Sequence, residues 1–177
     1  VTTLPLPSGG FLLAWLSNRT SDNLYLSSVA IFDSDGDEVV PTFVAGKSTT
    51  GELPGFAPGP DGGFYISWVG STNDGSVSGM ILARYDADGS PAGLPLLISS
   101  PALNTYEVGL AVHPHGHILA TWWEDPADES GITAAYAKAF SSDLGSSTST
   151  IRLSPENERG LRPAALPGAG PFWHIGW

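Results

Sequence analysis

At 177 residues the chain is long enough for one domain with a substantial core, and its 41% apolar and 10% aromatic content is that of a globular protein. A net charge of −11, with seven Lys and Arg scattered along the chain, leaves no basic patch and argues against nucleic acid and anionic membrane surfaces as partners. The absence of Cys excludes disulfides and thiolate metal sites, and no apolar run of about 18 residues exists to span a bilayer.

Only 14% of residues are charged, and 22 Gly and 15 Pro suit short strands joined by tight turns rather than helices. In chain order, the first predicted element is Val1–Pro5 (VTTLP). GGFLLAW (Gly9–Trp15) follows, with Phe11, Leu13 and Trp15 on one face and the smaller Leu12 and Ala14 on the other. LYLSSVAIFD (Leu24–Asp33) runs into the turn DSDGD (Asp33–Asp37), and VVPTFVA (Val39–Ala45) completes the set. The same four segments then return. The second period reads ELPGFAP (Glu52–Pro58), GGFYISW (Gly62–Trp68), SGMILARYD (Ser78–Asp86) with the turn DADGS, and GLPLLIS (Gly93–Ser99). The third reads YEVGLAVHP (Tyr106–Pro114), GHILATW (Gly116–Trp122), ITAAYAKAF (Ile132–Phe140) and STIRLS (Ser149–Ser154). LRPAALP (Leu161–Pro167) and PFWHIGW (Pro171–Trp177) open a fourth. The closing tryptophans, Trp15, Trp68, Trp122 and Trp177, are 53, 54 and 55 residues apart.

Each segment has strand length and is bounded by Gly, Pro, Asp, Asn or Ser. A strand with one bulky and one slim apolar face suits a sheet sandwiched between two like sheets. The predicted fold is therefore all-β and β-propeller-like, built of four-stranded antiparallel blades, with the tryptophans packed between blades. Blade 1 spans about 1–47, blade 2 about 52–100, blade 3 about 106–155, and a partial blade 4 about 160–177. The phrase GGF-x-x-x-W, the strand ending ARYDADGSPAG and the later P-x-x-A-x-L resemble tandem repeats of large secreted or surface-exposed bacterial proteins, the adhesin-like and RTX-like polypeptides. That resemblance implies a propeller-like module outside the cytoplasm, extracellular or at the cell surface, with the periplasm as the other compartment. It brings no catalytic residues, because the shared positions are packing and turn positions.

About three and a half blades fall short of a usual closed ring and would leave strand edges and blade faces bare. The expectation is that the ring is completed by the remainder of a longer polypeptide or by another chain adding strands, with an open blade stack or another all-β arrangement as the remaining alternative. The chain opens on Val1 without a signal peptide, as a processed chain or a piece of something longer would.

Three clusters carry candidate chemistry. Asp33, Asp35 and Asp37, with Asp86 and Asp88 in the next period, are spaced like calcium ligands. They lack the Gly and Glu positions of an EF-hand loop, so calcium is weighed against a plain Asp-Gly hairpin turn. His113, His115 and His117 alternate and could hold Zn, Ni or Cu if they shared one strand face. Pro114 and Gly116 interrupt them at a position that is a turn in the other periods. WWEDPADES (Trp122–Ser130) puts Trp123 beside Glu124, Asp125, Asp128 and Glu129, an aromatic surface and acids suited to a sugar. The other reading is a solvated loop with Trp123 packed on its blade. SSDLGSS (Ser141–Ser147) resembles the sialidase Asp-box, itself a structural turn. Adjacent acids on one loop are not the separated carboxyl pair of a glycosidase, and no nucleophile elbow or phosphate loop is present.

The expected function is a non-enzymatic extracellular propeller module for display, adhesion, ligand binding or assembly, with a glycan or surface protein on its loop rim and calcium as a candidate cofactor. The alternatives are a carbohydrate-active enzyme subunit or fragment, and a structural subunit docking through an open strand edge.

Overall fold

Alternation of large and small apolar residues decides which way each strand faces, and the computed structural model shows the result strand by strand. The structure describes residues 1–7, 9–19, 24–48, 51–72, 75, 78–99, 105–125, 132–156, 158–160, 162–168 and 172–177. Among these there is no α-helix, and one 3-10 turn, Pro60–Gly62.

Blade 1 consists of β1 (Thr2–Pro5), β2 (Phe11–Arg19), β3 (Leu24–Phe32) and β4 (Glu38–Ser48), each antiparallel to the next. Blade 2 repeats the order with β5 (Gly55–Pro58), β6 (Phe64–Ser71), β7 (Ser78–Tyr85) and β8 (Leu96–Leu97). Blade 3 follows with β9 (Thr105–Val112), β10 (Ile118–Glu124), β11 (Ala134–Phe140) and β12 (Ile151–Arg152). β13 (Ala164–Pro167) and β14 (Trp173–Gly176) form a two-stranded fourth unit. The first strands, β1, β5, β9 and β13, contact one another in turn and lie innermost. This is a β-propeller-like arrangement without a closed ring.

The seams follow the predicted size rule. Phe64, Ile66 and Trp68 of blade 2 press onto Leu12, Ala14, Val29, Ile31 and Ala45 of blade 1 in one buried cluster. Ile118, Ala120, Trp122 and Phe140 of blade 3 press onto Ala57, Tyr65, Met80, Leu82 and Ile98 of blade 2 in a second. Full burial of three side chains such as Phe64, Ile66 and Trp68 contributes on the order of 5–9 kcal/mol. The hydrogen bond from Trp68 Nε1 to the Ser71 carbonyl, 3.0 Å, adds about 1 kcal/mol. Packing therefore sets each seam, and the polar contact orients the ring.

Tryptophans at the same repeat position meet different surroundings. Trp68 and Trp122 are 2% and 1% exposed, as expected of inter-blade wedges. Trp15 is half-buried because no blade covers its side of blade 1. Trp177, just past β14, is 53% exposed. Among the described residues, no third strand pairs with β14 as Ile81 of β7 pairs with Trp68 and Tyr136 of β11 pairs with Trp122. The outer strands are also shorter than the sequence suggests, two residues each in blades 2 and 3. Pro91 and Pro95 interrupt the first of these, and proline on an outer strand withholds the donor that a further strand would pair with. Single bonds such as Ile98 N to the Met80 carbonyl, 2.9 Å, keep the flanking residues alongside.

Gly46 on β4 lies against the Trp68 indole, and a Cβ there would collide with the ring. Gly46→Ala is expected to cost about 1–3 kcal/mol, a fall in Tm of roughly 3–10 °C. Gly176→Ala, where a Cβ meets open space, should leave Tm unchanged. Thermal denaturation of the two variants checks the pair.

Candidate functional site

Antiparallel strands deliver their connections alternately to two rims. One rim collects the β1–β2 type and β3–β4 type turns, and four of these share one hydrogen-bond pattern. Leu6, Asp33, Asp86 and His113 each donate a backbone N–H to the carbonyl four residues on and accept one from the Gly three residues on. Those glycines, Gly9, Gly36, Gly89 and Gly116, have φ between +79° and +90°, a conformation that favours glycine.

The predicted cation ligands belong to these turns. Asp33 Oδ1 accepts from the backbone N–H of Asp35 (2.9 Å) and of Asp37 (3.0 Å). Asp88 Oδ1 accepts from the Ser90 N–H (2.9 Å) and hydroxyl (2.6 Å), which holds its carboxyl below the usual range. Asp143, in the Asp-box-like turn, accepts likewise from the Ser141 hydroxyl and the Gly145 N–H. Asp86 lies 4.0 Å from the Arg84 guanidinium.

His113 occupies the Asp33 position of its turn and does the same work, its Nδ1 accepting from the His115 N–H at 3.2 Å. That contact occupies the Nδ1 of the ring, and the imidazole packs edge-on against Trp173. His113 is buried while His115 is exposed, and His117 begins the return into β10, so the three imidazoles do not line one strand face. Among the described residues no group of three or more His, Asp or Glu side chains gathers as a metal site would require.

The opposite rim carries the acid-and-aromatic stretch, on blade 3. A β-bulge between Trp122 and Trp123 shifts the register so that Trp123 lies opposite Tyr106. The two rings stack at 4.3 Å with 19° between planes. Trp123 is half-buried, with one indole face taken by Tyr106, rather than a free platform. The Tyr106 hydroxyl donates to Asp125 Oδ2 at 3.4 Å. Burial, then the nearby Asp125 and Glu52 carboxylates, push the phenol pKa up, so Tyr106 stays a neutral donor.

Glu124 faces the other way, as alternate residues of a strand must. It is 6% exposed and accepts from Trp122 Nε1 at 3.1 Å. The equivalent positions are Ser17 in blade 1 and Gly70 in blade 2, and there Trp68 bonds a backbone carbonyl instead. Burial raises the Glu124 carboxyl, and hydrogen bonds from Trp122 and Thr105 offset part of that rise. The site thus joins a buried acid, a neutral phenol, a half-exposed indole and the Asp125 carboxylate on one rim. Asp128 and Glu129 lie outside the described residues. Tyr106, Thr105 and Glu52 were not among the sequence candidates. Only the hairpin register, carried through the bulge, brings Tyr106 to Trp123.

Fold and seams together define a β-propeller-like array of blades. No family model and no curated protein matches the chain. One solved structure does, Penicillium chrysogenum α-L-arabinanase complexed with arabinobiose. The match covers 98% of this chain and 60% of that one, with a TM-score of 0.65 and 15% identity. The chain thus spans about three-fifths of the length of the structure it matches. This comparison corrects the expectation of a non-enzymatic display or adhesion module, because the protein sharing this blade arrangement is a carbohydrate-active enzyme. Among the described residues, no helix is long and apolar enough to cross a membrane.

A carboxyl raised by burial adds stability at pH values below its unfolded pKa and loses that contribution as pH climbs through the folded value. Glu124→Gln keeps an acceptor for the Trp122 indole and removes the titration. The Tm of the native protein minus that of Glu124→Gln should therefore fall as pH rises above the ordinary Glu value of about 4.3. A pH-independent difference would show that Glu124 ionises in the fold without penalty.

Proposed function

We propose that the chain is the larger part of a carbohydrate-active propeller enzyme, with a neutral, hydroxyl-rich glycan held at the blade 3 rim. The observation that carries this reading is the fold match over nearly the whole chain to an α-L-arabinanase complexed with arabinobiose. The rim supports it locally. The Tyr106 hydroxyl is bonded to Asp125, whose remaining lone pairs can accept from sugar hydroxyls, and the part of the Trp123 indole left exposed offers an apolar surface for the C–H face of a sugar ring. The net charge of −11 selects against polyanionic glycans. Glu124 and Asp125 point to opposite faces of their strand, so the two are not a carboxyl pair across one glycosidic bond. Any hydrolytic pair draws on acids beyond these neighbours. A location outside the cytoplasm, extracellular or cell-surface, fits a polysaccharide substrate and the resemblance of the repeats to those of secreted proteins.

The experiment is a panel of neutral polymers, arabinan among them, set against polygalacturonate, with binding followed by calorimetry and cleavage by reducing-end release. Neutral polymer should bind at least about tenfold more tightly than the anionic one, a difference of about 1.4 kcal/mol. Tyr106→Ala and Asp125→Asn should each weaken that binding by about tenfold without changing the circular dichroism spectrum. The reading fails if no neutral glycan binds or is cleaved, or if both variants bind as the native protein does.

A further inference from the structure

The ladder that carries the blade 3 rim ends in a side-chain tie. In blade 2 the innermost strand, β5, pairs with β6 only as far as Gly55 and Ser67, one residue short of Trp68. Pro54, just ahead of β5, has no N–H to carry that pairing further. In blade 3 the pairing of β9 with β10 continues past Trp122, and β9 is eight residues long where β5 is four. Past the bulge two register pairs remain, Trp123 with Tyr106 and Glu124 with Thr105. So short a ladder end opens readily unless something else holds it.

Glu124 and Thr105 are the last residue of β10 and the first of β9, and both are buried. The Glu124 carboxyl accepts from the Thr105 hydroxyl across the strands. It also accepts from Trp122 Nε1 at 3.1 Å, two residues back on its own strand. One side chain therefore fastens the last pair of the ladder to the seam tryptophan. In blade 2 Gly70 stands at the equivalent place, with no side chain to reach the first strand, and the Trp68 indole bonds the Ser71 carbonyl instead. A seam tryptophan can thus be satisfied without an acid. The added effect of the acid in blade 3 falls on the neighbouring pair. With Glu124 and Thr105 anchored on the seam side, alternation turns Trp123 and Tyr106 to the other face. There the rings stack at 4.3 Å, and the phenol meets Asp125 at 3.4 Å.

We infer that Glu124 is the positioning residue of this rim: its bond to Thr105 keeps the start of β9 paired, and that pairing holds Tyr106 against Trp123 and Asp125. Glu124 acts through these neighbours, from the opposite face of the sheet. The consequence for glycan affinity rests on the rim being the glycan site proposed above, and the consequence for the strand does not.

Thr105→Val removes the hydroxyl and keeps the shape, while Thr105→Ser keeps the hydroxyl. Residue-resolved amide exchange, with arabinan binding followed by calorimetry, tests the tie on both variants. Thr105→Val should speed exchange at positions 105 and 106 by about tenfold or more, while Ala111 and Leu119, before the bulge, keep their native rates. Thr105→Ser should stay within about threefold of the native rates. Arabinan affinity should follow, about tenfold weaker in Thr105→Val and restored in Thr105→Ser. Glu124→Met severs the same tie from the other strand and replaces Thr105→Val if that variant does not fold. Unchanged exchange at position 106 in Thr105→Val overturns the inference, as does faster exchange spread evenly over blade 3. A Thr105→Ser protein no better protected than Thr105→Val overturns it too, and so does full arabinan affinity once the end of β9 has opened. If arabinan does not bind the native protein, the exchange rates alone decide the role of Glu124.

Discussion

Stacked sheets tolerate neither a gap nor a collision at their shared face, and the volume match between bulky and slim residues is what the rest of this structure obeys. Phe64, Ile66 and Trp68 fill the space left by Leu12 and Ala14, and the next seam repeats the exchange with Ile118, Ala120 and Trp122. Because each blade presents both surfaces, the array has a direction, and its two ends are unlike. The turns then have one task, to return the chain within a few residues so that successive strands stay in register. Asp33, Asp88, Asp143 and His113 do this by accepting from nearby backbone N–H groups, which leaves their polar atoms engaged in local geometry.

Blade 3 breaks the repeat on one rim. A carboxylic acid replaces Ser17 and Gly70 of the other blades, and a second tryptophan follows the seam tryptophan. The bulge turns that extra indole onto Tyr106 and aims Asp125 at the same phenol. Glu124, meanwhile, is drawn into the seam by Trp122. The result is a polar and aromatic surface resting on a packed base, with a geometry held by residues that also serve the fold. The likeness to an arabinanase at 15% identity conveys the blade architecture, and the chemistry of this rim is the chain's own.

Much of the architecture was legible because it is periodic. Alternation in Phe64–Trp68 told which residues share a face, and Asp-x-Asp-Gly marked where the chain reverses. What was not legible is non-local. Trp15 and Trp68 occupy the same place in the repeat, yet burial depends on a neighbouring blade that one has and the other lacks. The stacking of Tyr106 on Trp123 depends on a one-residue bulge, which no local pattern announces. Glu124 reads as one acid in an acidic loop, and only the seam beneath it shows that it is buried. The outer strand of blade 2 is only two residues long despite its apolar run Leu96–Ile98, because Pro95 denies it continuous pairing.

The tie between blades 1 and 2 differs from the tie between blades 2 and 3. Lys47 and Ser48 of β4 pair with Ser71 and Gly70 of β6, so the first two blades share a backbone ladder as well as a core. Gly70, at φ +155°, permits an approach so close that any side chain there would strike the Lys47 carbonyl. Blades 2 and 3 meet through side chains. The first pair is thus joined by backbone hydrogen bonds and packing together, while the second rests on the packing of side chains such as Trp122, so the two seams answer differently to a substitution that spoils side-chain fit.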